Sequence, residues 1–292
     1  MSRLLLILTL ACSSPGVPEQ VKAERVDAVR LDTLVGANVV SIMRTKPELF
    51  APLGYVQPLL GPSKLACWTE LEQKLTAAYQ LQGPRTDGRR NTHWILEGDL
   101  PQAAIERCVP TAIKETTVTV KRDGDLLAIS GSDGATTYAA WRGRFVIVGA
   151  RDLVNEALTS PSAARARWHE LLAPIVAAPI WWGSTDRLFA NLFGVATTHF
   201  VVAFERLEFE PKLYFGGRAL ATYATVADAT LVARRIKQGE AKPPFDAPEI
   251  VDSMKRFKVM QDGTSVQVEF DLDMFGGITM ETLTSLIAEA LR

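Results

Sequence analysis

Thr117-Val-Thr-Val-Lys-Arg-Asp-Gly-Asp-Leu-Leu-Ala-Ile-Ser130 decides how this chain is read as a fold. Thr117–Lys121 alternates apolar and polar residues, as a half-buried strand does. Asp123-Gly124 supplies a tight turn, because glycine enters the positive-φ backbone that short hairpin loops require. Leu126–Ser130 is the return strand. The same grammar recurs on either side. Asp133-Gly134 leads into Thr136–Trp141, and Arg142-Gly143 leads into Phe145–Val148. Near the end, Phe257–Met260 turns at Asp262-Gly263 into Ser265–Asp271.

Further strands are expected at Ala37–Arg44, Thr92–Gly98, Ile180–Gly183, His199–Glu205 and Lys212–Thr222. A helix is expected over Cys67–Leu81, where Trp68, Leu71, Leu75 and Ala78 fall on one face. Gly83–Asn91 reads as a polar, basic loop. Asp99 and Pro101 open a helix that ends near Cys108. Asp152 caps a short helix ending near Leu158, and Ser160-Pro161 caps another running to about Val176. Thr225-Val-Ala-Asp228 is a capping box for a helix reaching Lys237. Thr279–Leu291 is a terminal helix with Met280, Leu283, Ile287 and Leu291 on its apolar face.

This order is not βαβα throughout, so a doubly wound parallel sheet is excluded. The expectation is an α+β fold of antiparallel, hairpin-built sheet with helices packed on one face. The hairpin-then-helix course at the end of each half is a weak structural repeat. Two halves are expected, at 28–178 and 179–292, and they can share one continuous sheet.

The 292 residues are 47% apolar, enough for a large core, and 32 basic side chains nearly balance 33 acidic ones. That balance excludes the basic footprint of a nucleic-acid binder and the composition of a disordered acidic chain. No later stretch reaches the roughly 20 apolar residues of a membrane span. The most apolar one, Leu171–Trp182, is interrupted by Pro174 and Pro179.

The first residues carry the functional signal. Arg3 precedes the short apolar run Leu4–Ala11, then come Cys12 and Ser13-Ser-Pro-Gly16, which cannot continue a helix. The pattern reads as an export signal over residues 1–11. With cysteine at the cut it resembles a bacterial lipoprotein signal, which implies lipidation of Cys12 as the new N-terminus. Thr9 stands where such signals usually carry a branched aliphatic residue, so an ordinary cleavage near Ala11 is the alternative. A diacyl or triacyl group would anchor the chain stably, whereas one acyl chain binds only marginally. Residues 12–27, with Pro15, Gly16 and Pro18, would be a non-helical tether. Ser13 after the cysteine resembles an outer-membrane-directed signal, so the expected location is the periplasmic side of the cell envelope.

If Cys12 is lipidated, Cys67 and Cys108 remain as an even pair in an oxidising compartment. A bridge would close a loop of ~40 residues and contribute roughly 3–4 kcal/mol in the chain-entropy account. Two separate buried thiols are the alternative. No CxxC redox motif is present.

The sequence holds no nucleophile elbow, no phosphate loop with a lysine and no HExxH. His93, His169 and His199 are dispersed and read as polar residues of their elements rather than ligands, so no metal set or cofactor is expected. Glu97 and Asp99, and Asp271 and Asp273, read as solvated strand ends. Arg85, Arg89 and Arg90 form a basic cluster that could meet anionic headgroups, but an ordinary solvated loop accounts for them. Trp181-Trp182 is the candidate ligand or interface surface. In a strand the two rings point to opposite faces, so one packs in the core while the other faces outward or into an interface.

The layout resembles predicted lipoproteins of myxobacteria and related bacteria. The matching elements are a helix carrying Cys67, the strand Trp94-Ile-Leu-Glu-Gly-Asp99 with a helix ending at Cys108, and Trp141–Leu158. Ala224–Ile236 and the Met254–Leu272 hairpin complete the likeness. The resemblance carries no activity, and it implies that the cysteine pair is a shared structural feature. The expected function is therefore that of an exported, membrane-anchored lipoprotein acting as a non-enzymatic binding or structural component of the envelope. Its partner would be an envelope protein or an apolar ligand, not nucleic acid. A hydrolase whose site forms only in three dimensions is the other class.

Overall fold

From Leu75 onward a period of two governs burial: Leu75, Ala77, Tyr79, Leu81 and Gly83 are buried, while Thr76 and Pro84 are exposed. The expected helix over Cys67–Leu81 is therefore a strand from Leu75, and among the described residues of that span positions 71, 73 and 74 are helical. Leu71 and Leu75 fit either period, while Ala78 is buried on the opposite face of the strand. Hydrogen-bonding neighbours on both sides decide for the strand, because β-propensity follows context. The expected loop Gly83–Asn91 is likewise largely strand, with Arg85 opposite Arg90 and Thr86 opposite Arg89.

The computed structural model describes residues 30–46, 71, 73–86, 89–112, 118–131, 134–187, 193–208, 214–240 and 248–273. Cys12, Cys67, the tether and the expected helix Thr279–Leu291 lie outside them. Twelve strands are described: β1 Ser41–Thr45, β2 Leu75–Thr86, β3 Arg89–Gly98, β4 Thr119–Asp123, β5 Leu126–Ser130 and β6 Thr136–Arg142. The others are β7 Phe145–Gly149, β8 Ile180–Ser184, β9 His199–Glu208, β10 Tyr214–Thr222, β11 Lys258–Asp262 and β12 Ser265–Asp273. The helices are α1 Gln102–Ala112, α2 Arg151–Leu158, α3 Ser162–Leu172, α4 Val226–Gln238 and α5 Pro248–Met254.

All twelve strands form one antiparallel sheet in the order β11-β12-β10-β9-β8-β1-β2-β3-β7-β6-β5-β4. The fold is α+β, as the hairpin grammar requires. Gly124 and Gly263 begin two-residue turns at φ 65° and 54°, which closes β4–β5 and β11–β12. The two halves meet at β1 and β8, where Met43 pairs with Trp182 and Arg44 with Trp181. From that seam each half takes the same course. β1-β2-β3-α1 and β8-β9-β10-α4 are both meanders followed by a helix. The chain then re-enters at the outer edge of the sheet, as β4 in one half and β11 in the other, and works back to the third strand as β7 and β12.

The described helices divide between both faces of the sheet. Phe145 and Ile147 of β7 pack with Val154 and Ala157 of α2 and with Trp168 and Leu172 of α3. Val146, from the same strand, packs with Ile105 and Cys108 of α1 on the opposite face. The apolar face of α4, with Ala229, Val232, Ala233 and Ile236, covers Val266 and neighbouring residues of β10–β12. A strand covered on both sides is apolar at every position, which explains the unbroken Phe145-Val-Ile-Val148 run.

The helix starts differ from expectation in detail. Ala150, not Asp152, is the N-cap of α2, and Asp152 sits in its first turn. Pro161 occupies the N-cap of α3 without a side-chain bond, and the Ser160 hydroxyl instead donates to the Val35 carbonyl. That helix ends at Leu172, not Val176. Among the described residues, no helix is long and apolar enough to cross a membrane.

Candidate functional site

The seam between the halves gathers the most chemistry. Strand alternation sends Trp181 to the α2–α3 side, where it is fully buried against Tyr79 with ring centroids 6.0 Å apart. Trp182 goes to the other side and is half-buried. Its indole Nε1 donates to the Ser41 hydroxyl at 2.6 Å, and its ring meets Phe200 edge-on at 5.4 Å. The expected split of the pair is present, but Trp181 offers no surface to a ligand. Trp182 has both its N–H and its ring engaged within the protein.

Beside Trp181 lies a polar chain that sequence reasoning missed. Glu97 is buried at 8% exposure rather than solvated. The Tyr79 hydroxyl donates to Glu97 Oε2, and Arg144 Nη2 meets Oε1 at 2.9 Å. Burial, then the adjacent Glu97 carboxylate, pushes the Tyr79 phenol well above its ordinary value. Tyr79 therefore keeps its proton and acts as a donor. Arg44 lies 5.9 Å from the Tyr79 ring centre and donates to the Ala178 carbonyl at 2.6 Å. The chain joins β1, β2, β3, the β6–β7 turn and the turns after α3. Each carboxylate oxygen of Glu97 has a protein donor, so its chemistry is that of a clamp. The only sequence signal for it is a tyrosine and a glutamate at positions of like parity on neighbouring strands.

A second cluster joins Arg30 and Asp32 to His169 in the last turn of α3. Asp32 Oδ2 accepts from Arg30 at 2.9 Å and meets His169 Nδ1 at 3.0 Å. His93 is 2% exposed with both ring nitrogens unpartnered, and burial lowers its pKa to about 4. The three histidines stay apart, and no group of three metal-capable side chains occurs among the described residues. Cys108 is 1% exposed within the cluster formed by Leu71, Leu75, Leu100 and Ile105.

The fold resembles that of TP0453. Crystal form III of that protein has a TM-score of 0.52 to this chain at 11% identity, covering 90% of this chain and 99% of that one. Crystal form I gives 0.52 at 10% identity, with 90% and 98% covered. At this identity the likeness is one of fold alone. No protein-family model and no curated protein matches the chain.

Proposed function

We propose that this protein is an exported lipoprotein, anchored through Cys12 on the periplasmic side of the cell envelope, that works by binding rather than by turnover. The observation that carries this reading is the sequence Arg3, Leu4–Ala11, Cys12, Ser13-Ser-Pro-Gly16. The polar clusters support the second half of it. Glu97 is committed to Tyr79 and Arg144, Asp32 to Arg30 and His169, and neither set leaves an activated nucleophile beside a base. The partner class is an envelope protein or an apolar ligand.

A Cys67–Cys108 disulfide belongs to the same proposal. Leu71, four residues after Cys67 in the sequence, packs in the cluster that buries Cys108. An oxidising compartment would hold the bridge closed.

The test is the intact mass of protein purified from the membrane fraction, with and without reductant and alkylation. A mass for residues 12–292 plus acyl groups, with two thiols appearing only after reduction, is the expected result. An unprocessed chain with three free thiols would overturn the export reading. Specific hydrolysis of an envelope substrate by pure protein would overturn the binding reading alone.

A further inference from the structure

Ala173-Pro-Ile-Val-Ala-Ala178 follows α3 as an irregular turn without a charged side chain. Its residues sort into two sets. Ile175 and Ala178 are buried in the main core beside Leu172, while Ala173, Pro174, Val176 and Ala177 are exposed. Val176 is 51% exposed, among the most exposed large hydrophobic side chains of the described residues. Single apolar residues are ordinary on a protein surface, but four within five positions of an uncharged turn ask for a partner.

The protein itself pairs the polar backbone of this turn. The N–H of Ala173 donates to the His169 carbonyl at 3.0 Å, those of Ile175 and Val176 to Leu172 at 2.9 Å, and that of Ala178 to Ile175 at 2.9 Å. Two arginines rising from the sheet take further carbonyls. Arg218 of β10 donates to Pro174 at 3.0 Å, and Arg44 of β1 donates to Ala178 at 2.6 Å and to Val176 at 3.5 Å. A turn whose peptide groups are paired in this way can enter an apolar medium without stranding them.

The chain also enters the fold beside this turn. Asp32 ties Arg30, the first described residue, to His169, and His169 accepts the N–H of Ala173 one helical turn on. The residues that join Cys12 to the domain therefore end next to the apolar patch.

We propose that the Ala173–Ala177 turn is a membrane contact, resting in the interfacial layer of the bilayer that holds Cys12. This rests on the lipid-anchor reading. A tether of about 18 residues, 12–29, spans roughly 25 Å as a coil, so it holds the domain at a high effective concentration beside the bilayer with the turn's end toward it. A patch too small to bind a membrane alone then suffices to choose which end lies down. Arg44 and Arg218 fix the turn beforehand, so little ordering is left for the contact to impose. The occupant is the lipid surface because the anchor delivers lipid to this end and the turn offers a partner no charge to recognise.

The test uses the lipidated full chain in phosphatidylcholine vesicles brominated near the top of one acyl chain, with tryptophan emission compared against unbrominated vesicles. Val176→Trp is expected to lose roughly half of the emission it adds over wild type, because a resting turn reaches the boundary between headgroups and acyl chains. Met260→Trp, on the edge strand β11, is expected to lose none. Both are exposed positions, where substitution seldom disturbs folding. Flotation with the vesicles reports the anchor separately. Protein that floats with the tryptophan at position 176 unquenched overturns the contact and leaves the anchor standing, and equal quenching at both positions does the same. Protein that does not float overturns the anchor and the contact together.

Discussion

Trp182 Nε1 donates to the Ser41 hydroxyl at 2.6 Å, from one half of the sheet to the other. Trp182 pairs with Met43 in register, so the bond runs diagonally along the β1–β8 seam and ties adjacent positions of the two strands. Trp182→Phe keeps a ring for Phe200 but loses this bond, and is expected to cost about 1 kcal/mol in urea unfolding. Trp181→Ala removes a fully buried ring from the main core and is expected to cost about 3–5 kcal/mol. Trp182→Ala should fall below that. The opposite ranking would mean that the half-buried ring, not the buried one, holds the seam.

Tyr79 and Glu97 make a related prediction. Tyr79→Phe leaves Glu97 Oε2 buried without its phenol donor, a loss of about 1–3 kcal/mol. Arg144→Ala removes the partner of Oε1, but the Arg144 side chain is 66% exposed, so water can replace the lost donor and the expected cost is ~1 kcal/mol. Chemical unfolding of the two variants should therefore rank Tyr79→Phe as the more damaging.

These residues also mark how far the sequence could be read. The β4–β5, β6–β7 and β11–β12 hairpins were legible because alternation and glycine turns are local. β2 was not, because Leu71, Leu75 and Ala78 satisfy a helical period until β1 and β3 are known to flank them. The two-sided placement of the helices was hidden for a similar reason. Phe145-Val-Ile-Val148 says that both faces are covered without saying by what. Glu97 looked like a solvated strand end, since its partners Tyr79 and Arg144 are distant in sequence and meet it only through the β2–β3 and β3–β7 pairings.

The capping box was a local signal, and its N-cap half is present, with the Asp228 carboxylate meeting the Thr225 hydroxyl rather than the Thr225 backbone N–H. Thr225 Oγ1 accepts from the Asp228 backbone N–H at 3.1 Å and donates to the Asp228 carboxylate at 2.8 Å. Thr225→Ala is expected to destabilise the protein by about 1 kcal/mol, and Thr225→Ser to stay close to wild type. Thermal or chemical unfolding distinguishes them. Equal losses in both would assign the effect to packing of the threonine methyl group.

The pH dependence of stability follows from His93. In the unfolded chain this ring takes up a proton near its ordinary 6.5, whereas in the fold burial holds it neutral down to about 4. Between those values the unfolded state binds more protons, so stability rises with pH and is lost as pH falls through the window. A shift of this size corresponds to at most roughly 3 kcal/mol. Unfolding free energies measured across the window in wild type and His93→Leu isolate the effect, since other carboxylates titrate in both. The wild-type curve is expected to fall more steeply than the variant's as pH drops. Parallel curves would mean that His93 is protonated alike in both states, and the imidazole would then have found a partner in the fold.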